Sequence, residues 1–139
     1  MIDDAYWAKF PDHLSISDLA KITRKSDQTV WRWLAQGVIP AHQVGRAWIV
    51  YREVFQHRLE EPDVPYLLPL ELLERYGEEL KIDEYAEILG KAKDTLYLWL
   101  ADGTIPGRRL GTRWLLYKHD VVQLLERTSN QASADSSGK

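Results

Sequence analysis

The sequence contains no cysteine and a single methionine in 139 residues. The missing cysteine excludes a disulfide scaffold, a thiolate nucleophile and a thiolate-bound metal. Long apolar runs are also missing: the longest mostly apolar stretch, Tyr66 to Leu73, is far short of the roughly 20 residues that span a bilayer. The start, Met1-Ile2-Asp3-Asp4, is acidic where a secretory leader is basic. A cytoplasmic protein without a membrane is therefore expected. The four histidines, at 13, 42, 57 and 119, do not fall at ligand spacings, so no metal or cofactor is expected. There is no Gly-rich phosphate loop, Ser/His/Asp set or close carboxylate pair, which argues against an enzyme and a small-molecule ligand.

With 45% hydrophobic and 28% charged residues, the chain can bury a core. Phenylalanine is scarce, two residues against six Trp and seven Tyr. The net charge of −3 is unevenly placed. Residues 14–59 sum to +4, 60–79 to −6 and 80–127 to +1. The acidity is thus gathered in the middle, and its flanks are neutral to basic.

The chain repeats itself. Shifted by 66 positions, residues 14–60 align without gaps on 80–126, and seventeen of the 47 pairs are identical. Among them are Thr29/Thr95, Trp33/Trp99, Leu34/Leu100, Gly37/Gly103, Ile39-Pro40/Ile105-Pro106, Gly45/Gly111, Trp48/Trp114 and Tyr51/Tyr117. Two copies are too few for a solenoid and imply two small domains in tandem.

Each copy has the same predicted elements. Ser17, or Asp83 in the second copy, caps a short amphipathic helix. Gly90 ends it in the second copy. Ser26 starts a second helix with Val30, Trp33 and Leu34 inward at i, i+3 and i+4, and Gly37 and Gly103 end this helix. An alternating stretch around Gly45-Arg46 predicts a hairpin, and third helices are expected over 53–60 and 119–127. Helix, tight turn, helix and hairpin form a winged helix-turn-helix pattern, so the expected fold is mainly α with small β-hairpin wings. Trp33, Trp48, Trp99 and Trp114 are expected to anchor cores too small for Leu and Ile alone.

With those positions inward, the second helix of copy one faces outward through Asp27, Gln28, Trp31, Arg32 and Gln36. Arg and Gln can bond base edges bidentately in a major groove. Thr29 and, in copy two, Lys93, Thr95 and Tyr97 belong to the same candidate surface. Trp31 and Tyr97 share an outward slot that suits a sugar-phosphate contact or the cover of a neighbouring element. Arg46, Arg108, Arg109 and Arg113 lie on the hairpins, where arginine suits a narrow minor groove or a solvated rim. Arg52 and Lys118 are expected to meet phosphates.

The runs Leu14-Ser-Ile-Ser-Asp-Leu-Ala, Ser26-Asp-Gln-Thr-Val-Trp-Arg-Trp-Leu, Gly37-Val-Ile-Pro40 and Val44-Gly-Arg-Ala-Trp48 resemble the excisionase/MerR-type family of winged helix-turn-helix domains. Thr95-Leu-Tyr-Leu-Trp-Leu, Gly103-Thr-Ile-Pro106 and Leu110-Gly-Thr-Arg-Trp114 resemble it again. The resemblance implies binding to double-stranded DNA, the second helix in the major groove and the wing on the minor groove or backbone. It also implies a transcription regulator or recombination directionality factor of a bacterium, phage or mobile element, acting on the nucleoid, alone or as a homodimer or cooperative oligomer on DNA. Two departures stand out: Arg24 replaces the glycine seen at Gly90, and Asp94 and Leu98 replace Gln28 and Arg32. The second suits a copy two that grips the backbone or meets a protein. The competing function is a protein-interaction scaffold on the same fold.

The expected organisation is a first domain over 1–60, with Tyr6, Trp7 and Phe10 docked on it, and an acidic linker over 61–79. A second domain over 80–127 and a disordered tail over 128–139 complete it. Within the linker, Leu67 to Glu79 suits a short helix with Leu70, Leu73 and Tyr76 on one side, as a strut on one domain or a dimerisation surface. As a flexible tether the 20 residues from 60 to 79 would span roughly 25 Å, allowing two independent modules to reach adjacent turns of one duplex.

Overall fold

The computed structural model describes residues 4–131. About half of it is helical, in eight helices, with small antiparallel sheets. Copy one runs α1 (Asp4–Trp7), α2 (Ile16–Thr23), α3 (Asp27–Gln36), β1 (His42–Val44), β2 (Ala47–Ile49) and α4 (Arg52–Glu60). Copy two follows as α5 (Leu70–Leu73), β3 (Glu79–Leu80), α6 (Ile82–Leu89), α7 (Lys93–Asp102), β4 (Arg108–Leu110), β5 (Arg113–Tyr117) and α8 (Lys118–Thr128).

The caps of α2 and α6 lie two residues before the expected positions. Ser15, not Ser17, caps α2: its Oγ accepts from the Asp18 amide and the Asp18 carboxylate accepts from the Ser15 amide, both at 3.0 Å. This reciprocal box satisfies two orphan donors at once, which Ser17 has no partner to do. In copy two the equivalent position is Lys81, not Asp83, and Glu84 accepts from its amide at 2.9 Å. Ser26 caps α3 as expected, and Gly37, Gly90 and Gly103 end their helices left-handed. The hairpins pair Val44 with Ala47 and Leu110 with Arg113 across Gly-led two-residue turns.

The segment expected as a linker carries a helix over Leu70–Leu73 and a strand over Glu79–Leu80. Its helix is short, and it buries Leu72 and Leu73 while Leu70 faces solvent, so the predicted stripe of Leu70, Leu73 and Tyr76 is displaced. Shifted by 66 positions, α5 falls on α1: both are four-residue helices packed at the foot of the last helix of their copy. The strand that follows also recurs, since Glu79 pairs with Tyr117 as His13 bridges to Tyr51. The structural repeat therefore reaches about ten residues further towards the N-terminus than the legible sequence repeat. As expected, Tyr6, Trp7 and Phe10 pack on copy one.

The copies are not independent modules on a tether. One buried cluster holds Trp7, Leu14, Leu19, Val30, Leu34, Ile39 and Phe55 of copy one. The other joins Val44, Ile49, Tyr51 and Val54 of copy one to Leu72, Leu73, Ile88, Leu89, Leu124 and Leu125 of copy two. The first wing is the plug. Val44 is 1% exposed, whereas its repeat equivalent Leu110 is 67% exposed. Tyr51 donates its hydroxyl to the Ile88 carbonyl at 2.6 Å, and a His13 ring nitrogen lies 3.0 Å from the same oxygen. Burial raises the Tyr51 pKa far above its ordinary value.

This contact explains the departure at Arg24. A Cβ on Gly90 would lie 2.6 Å from the His13 ring, so copy one can seat there only on a glycine. Arg24 takes the same left-handed turn at φ 60° on an exposed corner, where strain is its sole penalty. The four repeated tryptophans are not the core anchors expected. They are half-buried against the clusters, whose centres are Leu, Val, Ile and Tyr, because the shared interface enlarges the core.

Candidate nucleic-acid interface

In copy one, Val30 and Leu34 are buried, which turns Gln28, Trp31 and Arg32 of α3 to solvent. Thr29 is half-buried and engaged in the cap, its Oγ1 accepting from Ser26 at 3.2 Å. Gln28, Arg32 and Arg46 make no hydrogen bond or ion pair among the described residues. Trp31 and Arg46 line one cleft of about 430 Å³ between α3 and the first wing. Its far wall is Leu89, Gly90 and Lys91, from the turn between α6 and α7. Fusing the copies thus adds a cation, Lys91, beside the first copy's outward helix.

Copy two is arranged differently on the same frame. On α7, Lys93 pairs with Asp83 at 3.0 Å, Thr95 is half-buried, and Tyr97 and Leu98 are exposed, Leu98 to 70%. On the second wing, Arg108 holds Asp120 through Nε at 3.1 Å and Nη2 at 3.0 Å and lies over the Tyr117 ring. The hydrogen bond from Arg108 keeps the Asp120 pKa below the usual carboxylate range. Arg109 folds back onto the Gly111 carbonyl, with its guanidinium 5.1 Å from the Trp114 ring centre. Arg113 is exposed and makes no hydrogen bond or ion pair among the described residues.

A family model described as a helix-turn-helix domain matches residues 14–62 and again residues 79–129. The chain belongs to this excisionase-like helix-turn-helix family. Searches of curated proteins and of solved structures gave no match. The tandem match supports a DNA-binding helix-turn-helix protein. No helix among the described residues is long and apolar enough to cross a membrane.

Within the two helix-turn-helix domains, the residues expected to meet DNA divide by what already holds them. Gln28, Trp31, Arg32, Arg46, Tyr97 and Arg113 present open side chains. Thr29, Lys93, Arg108 and Arg109 have partners inside the protein. Arg52 and Lys118, expected to meet phosphates, are turned inward. Arg52 donates through Nη1 to the carbonyls of Trp7 and Phe10 and through Nη2 to Asp12 at 3.4 Å. Lys118 donates to the carbonyls of Leu73 and Tyr76 at 3.2 and 2.8 Å. Trp7 and Leu73 end short helices, and Phe10 and Tyr76 lie in the turns that follow; Trp7 and Leu73 already accept from the Phe10 and Tyr76 amides at 3.0 and 3.2 Å, and the long cation is a second donor to them. Lys91, which lines the cleft with Trp31 and Arg46, is not among the residues singled out from the sequence. Its only sequence signal is the identity Lys25/Lys91, which looks like surface charge until the fold places it on the same cleft as Trp31.

Proposed function

We propose that the protein is a sequence-specific reader of double-stranded DNA, with α3 of the first domain in the major groove, acting as a transcription regulator or recombination directionality factor. The open face of α3 carries this reading. Gln28 and Arg32 are the side-chain types that bond base edges bidentately, and Trp31, Arg46 and Lys91 flank them as backbone-contacting groups. The test is a duplex selected from a random pool by the full chain. Arg32→Ala is expected to lower affinity for it by about 1–3 kcal/mol and to relax base preference at one position. The repeat-matched change Leu98→Ala is expected to do much less. Equal loss on selected and random duplexes would reduce Arg32 to a phosphate contact, and absence of any salt-dependent binding at low salt would end the DNA reading.

A second reading concerns the second domain alone. Exposed Tyr97, Leu98 and Leu110 with Asp94 beside them favour a protein contact over base reading for α7. Under it, Leu98→Ala leaves DNA binding intact while DNA-dependent assembly changes.

A further inference from the structure

The last described residues, 129–131, were expected to be disordered, yet they are seated in the turn between α3 and β1 of the opposite domain. Asn130 engages its backbone amide and both ends of its side-chain carboxamide. Its amide donates to the Ala41 carbonyl and its Oδ1 accepts from the Ala41 amide, both at 2.9 Å. Its Nδ2 donates to the carbonyls of Leu34 at 2.9 Å and Ile39 at 2.8 Å. Gln131 adds Nε2 to the Gly37 carbonyl at 3.1 Å and is held in turn by Arg58 at 2.7 Å. Ser129 bridges to His42 on β1. A polar tail orders here because Leu34 at the end of α3 accepts only the Gly37 amide at 3.3 Å and Ile39 lies in the turn beyond, and a carboxamide can donate to both carbonyls at once.

The second domain shows what this replaces. There, Tyr85 of α6 donates its hydroxyl to the Pro106 carbonyl at 2.9 Å, tying the equivalent turn to its own domain. Leu19 stands at the matching place in the first domain and has no hydroxyl. A Cβ on Gly103 would meet nothing, whereas one on Gly37 would lie 3.1 Å from the Asn130 carbonyl. The first domain's turn is therefore braced from the far end of the chain.

We propose that Asn130 and Gln131 are positioning residues for the first domain's DNA-reading helix. They fix the angle between α3 and the wing, so that DNA recognition by the first domain requires the end of the second. This rests on the DNA-binding reading above. The experiment compares the full chain with Asn130→Ala and with a chain ending at Thr128. It measures amide hydrogen exchange, and affinity for the selected duplex and for a random one. Exchange at residues 37–41 is expected to rise at least about tenfold, with α6 and α7 unchanged. Affinity for the selected duplex is expected to fall about tenfold, against less than about threefold on the random duplex. Asn130→Asp, which keeps the acceptor for Ala41 and loses both side-chain donors, is expected to lie between. Unchanged exchange would overturn the brace whatever DNA does. Faster exchange with undiminished selected-duplex affinity, where Arg32→Ala still lowers it, would leave Asn130 purely structural. If selection with the full chain enriches no duplex, the DNA-binding reading itself falls and the positioning role with it, while the exchange arm still reports the brace.

Discussion

Arg52 and Lys118 make the same pair of contacts 66 positions apart. Each leads the last helix of its domain and donates to the carbonyls of two residues three apart, the last of a short helix and one in the turn after it, Trp7 and Phe10 or Leu73 and Tyr76. Four acceptor residues of four different types preserve one geometry, because the acceptors are backbone oxygens. These cations therefore belong to the folding of each repeat. Arg52→Ala and Lys118→Ala are each expected to lower stability by about 1–3 kcal/mol, seen as a lower denaturation midpoint. The salt dependence of DNA binding should not change.

The wing-tip arginines should behave in the opposite way. Arg46→Ala and Arg113→Ala are expected to weaken DNA binding across sequences and to lower the salt slope by about one each. Thermal stability should scarcely move, since neither side chain is packed. A stability loss as large as that from Arg52→Ala would make them structural.

The shared cluster predicts a single cooperative unfolding transition for the whole chain, by circular dichroism and by tryptophan fluorescence alike. Residues 1–66 and 67–139 expressed separately are expected to remain largely unfolded. Separation exposes Val44, Ile49, Tyr51 and Val54 on one side and Ile88, Leu89, Leu124 and Leu125 on the other. Two resolved transitions would show that the domains are autonomous.

Gly90 and Arg24 occupy one repeat position with opposite demands. Gly90→Ala is expected to destabilise strongly, because its Cβ meets a His13 ring that is itself bonded to the Ile88 carbonyl. Arg24→Gly is expected to stabilise by up to about 1 kcal/mol through relief of the left-handed conformation. Chemical denaturation of the two variants checks both signs.

His42 gives the fold an acid limit. It is 2% exposed, edge-on to Tyr51, and burial lowers its pKa from 6.5 to about 4. The unfolded chain therefore takes up a proton before the folded one does. Stability is full above pH 6.5 and falls as pH drops from about 6.5 to about 4, by up to about 3 kcal/mol from this group. Burial lowers the His13 pKa as well, in the same direction. Asp12, whose pKa the Arg75 hydrogen bond lowers, and Asp120, lowered by Arg108, extend the loss below the ordinary carboxylate range. His42→Gln should flatten the upper part of a stability-against-pH curve. An unchanged curve would show that His42 is protonated without penalty.

Local order was written in the sequence. Apolar spacing, Ser26, the helix-ending glycines and the Gly45 and Gly111 turns act within a few residues, so they specify two winged helix-turn-helix units and the outward face of α3 from local pattern alone. The first helix cap was misplaced by two residues because Ser15 and Ser17 are alike until the reciprocal bond with Asp18 is seen. Tertiary structure decided the rest. It made a wing the plug between the domains, drew Arg52 and Lys118 inward, placed Lys91 on the cleft that Trp31 lines, and seated Asn130 on the turn after α3. The plug depends on apolar side chains of the other copy, while Arg52, Lys118 and Asn130 depend on backbone carbonyls tens of residues away. A carbonyl is the same in every residue, so no side-chain pattern announces where it will be exposed or what will reach it.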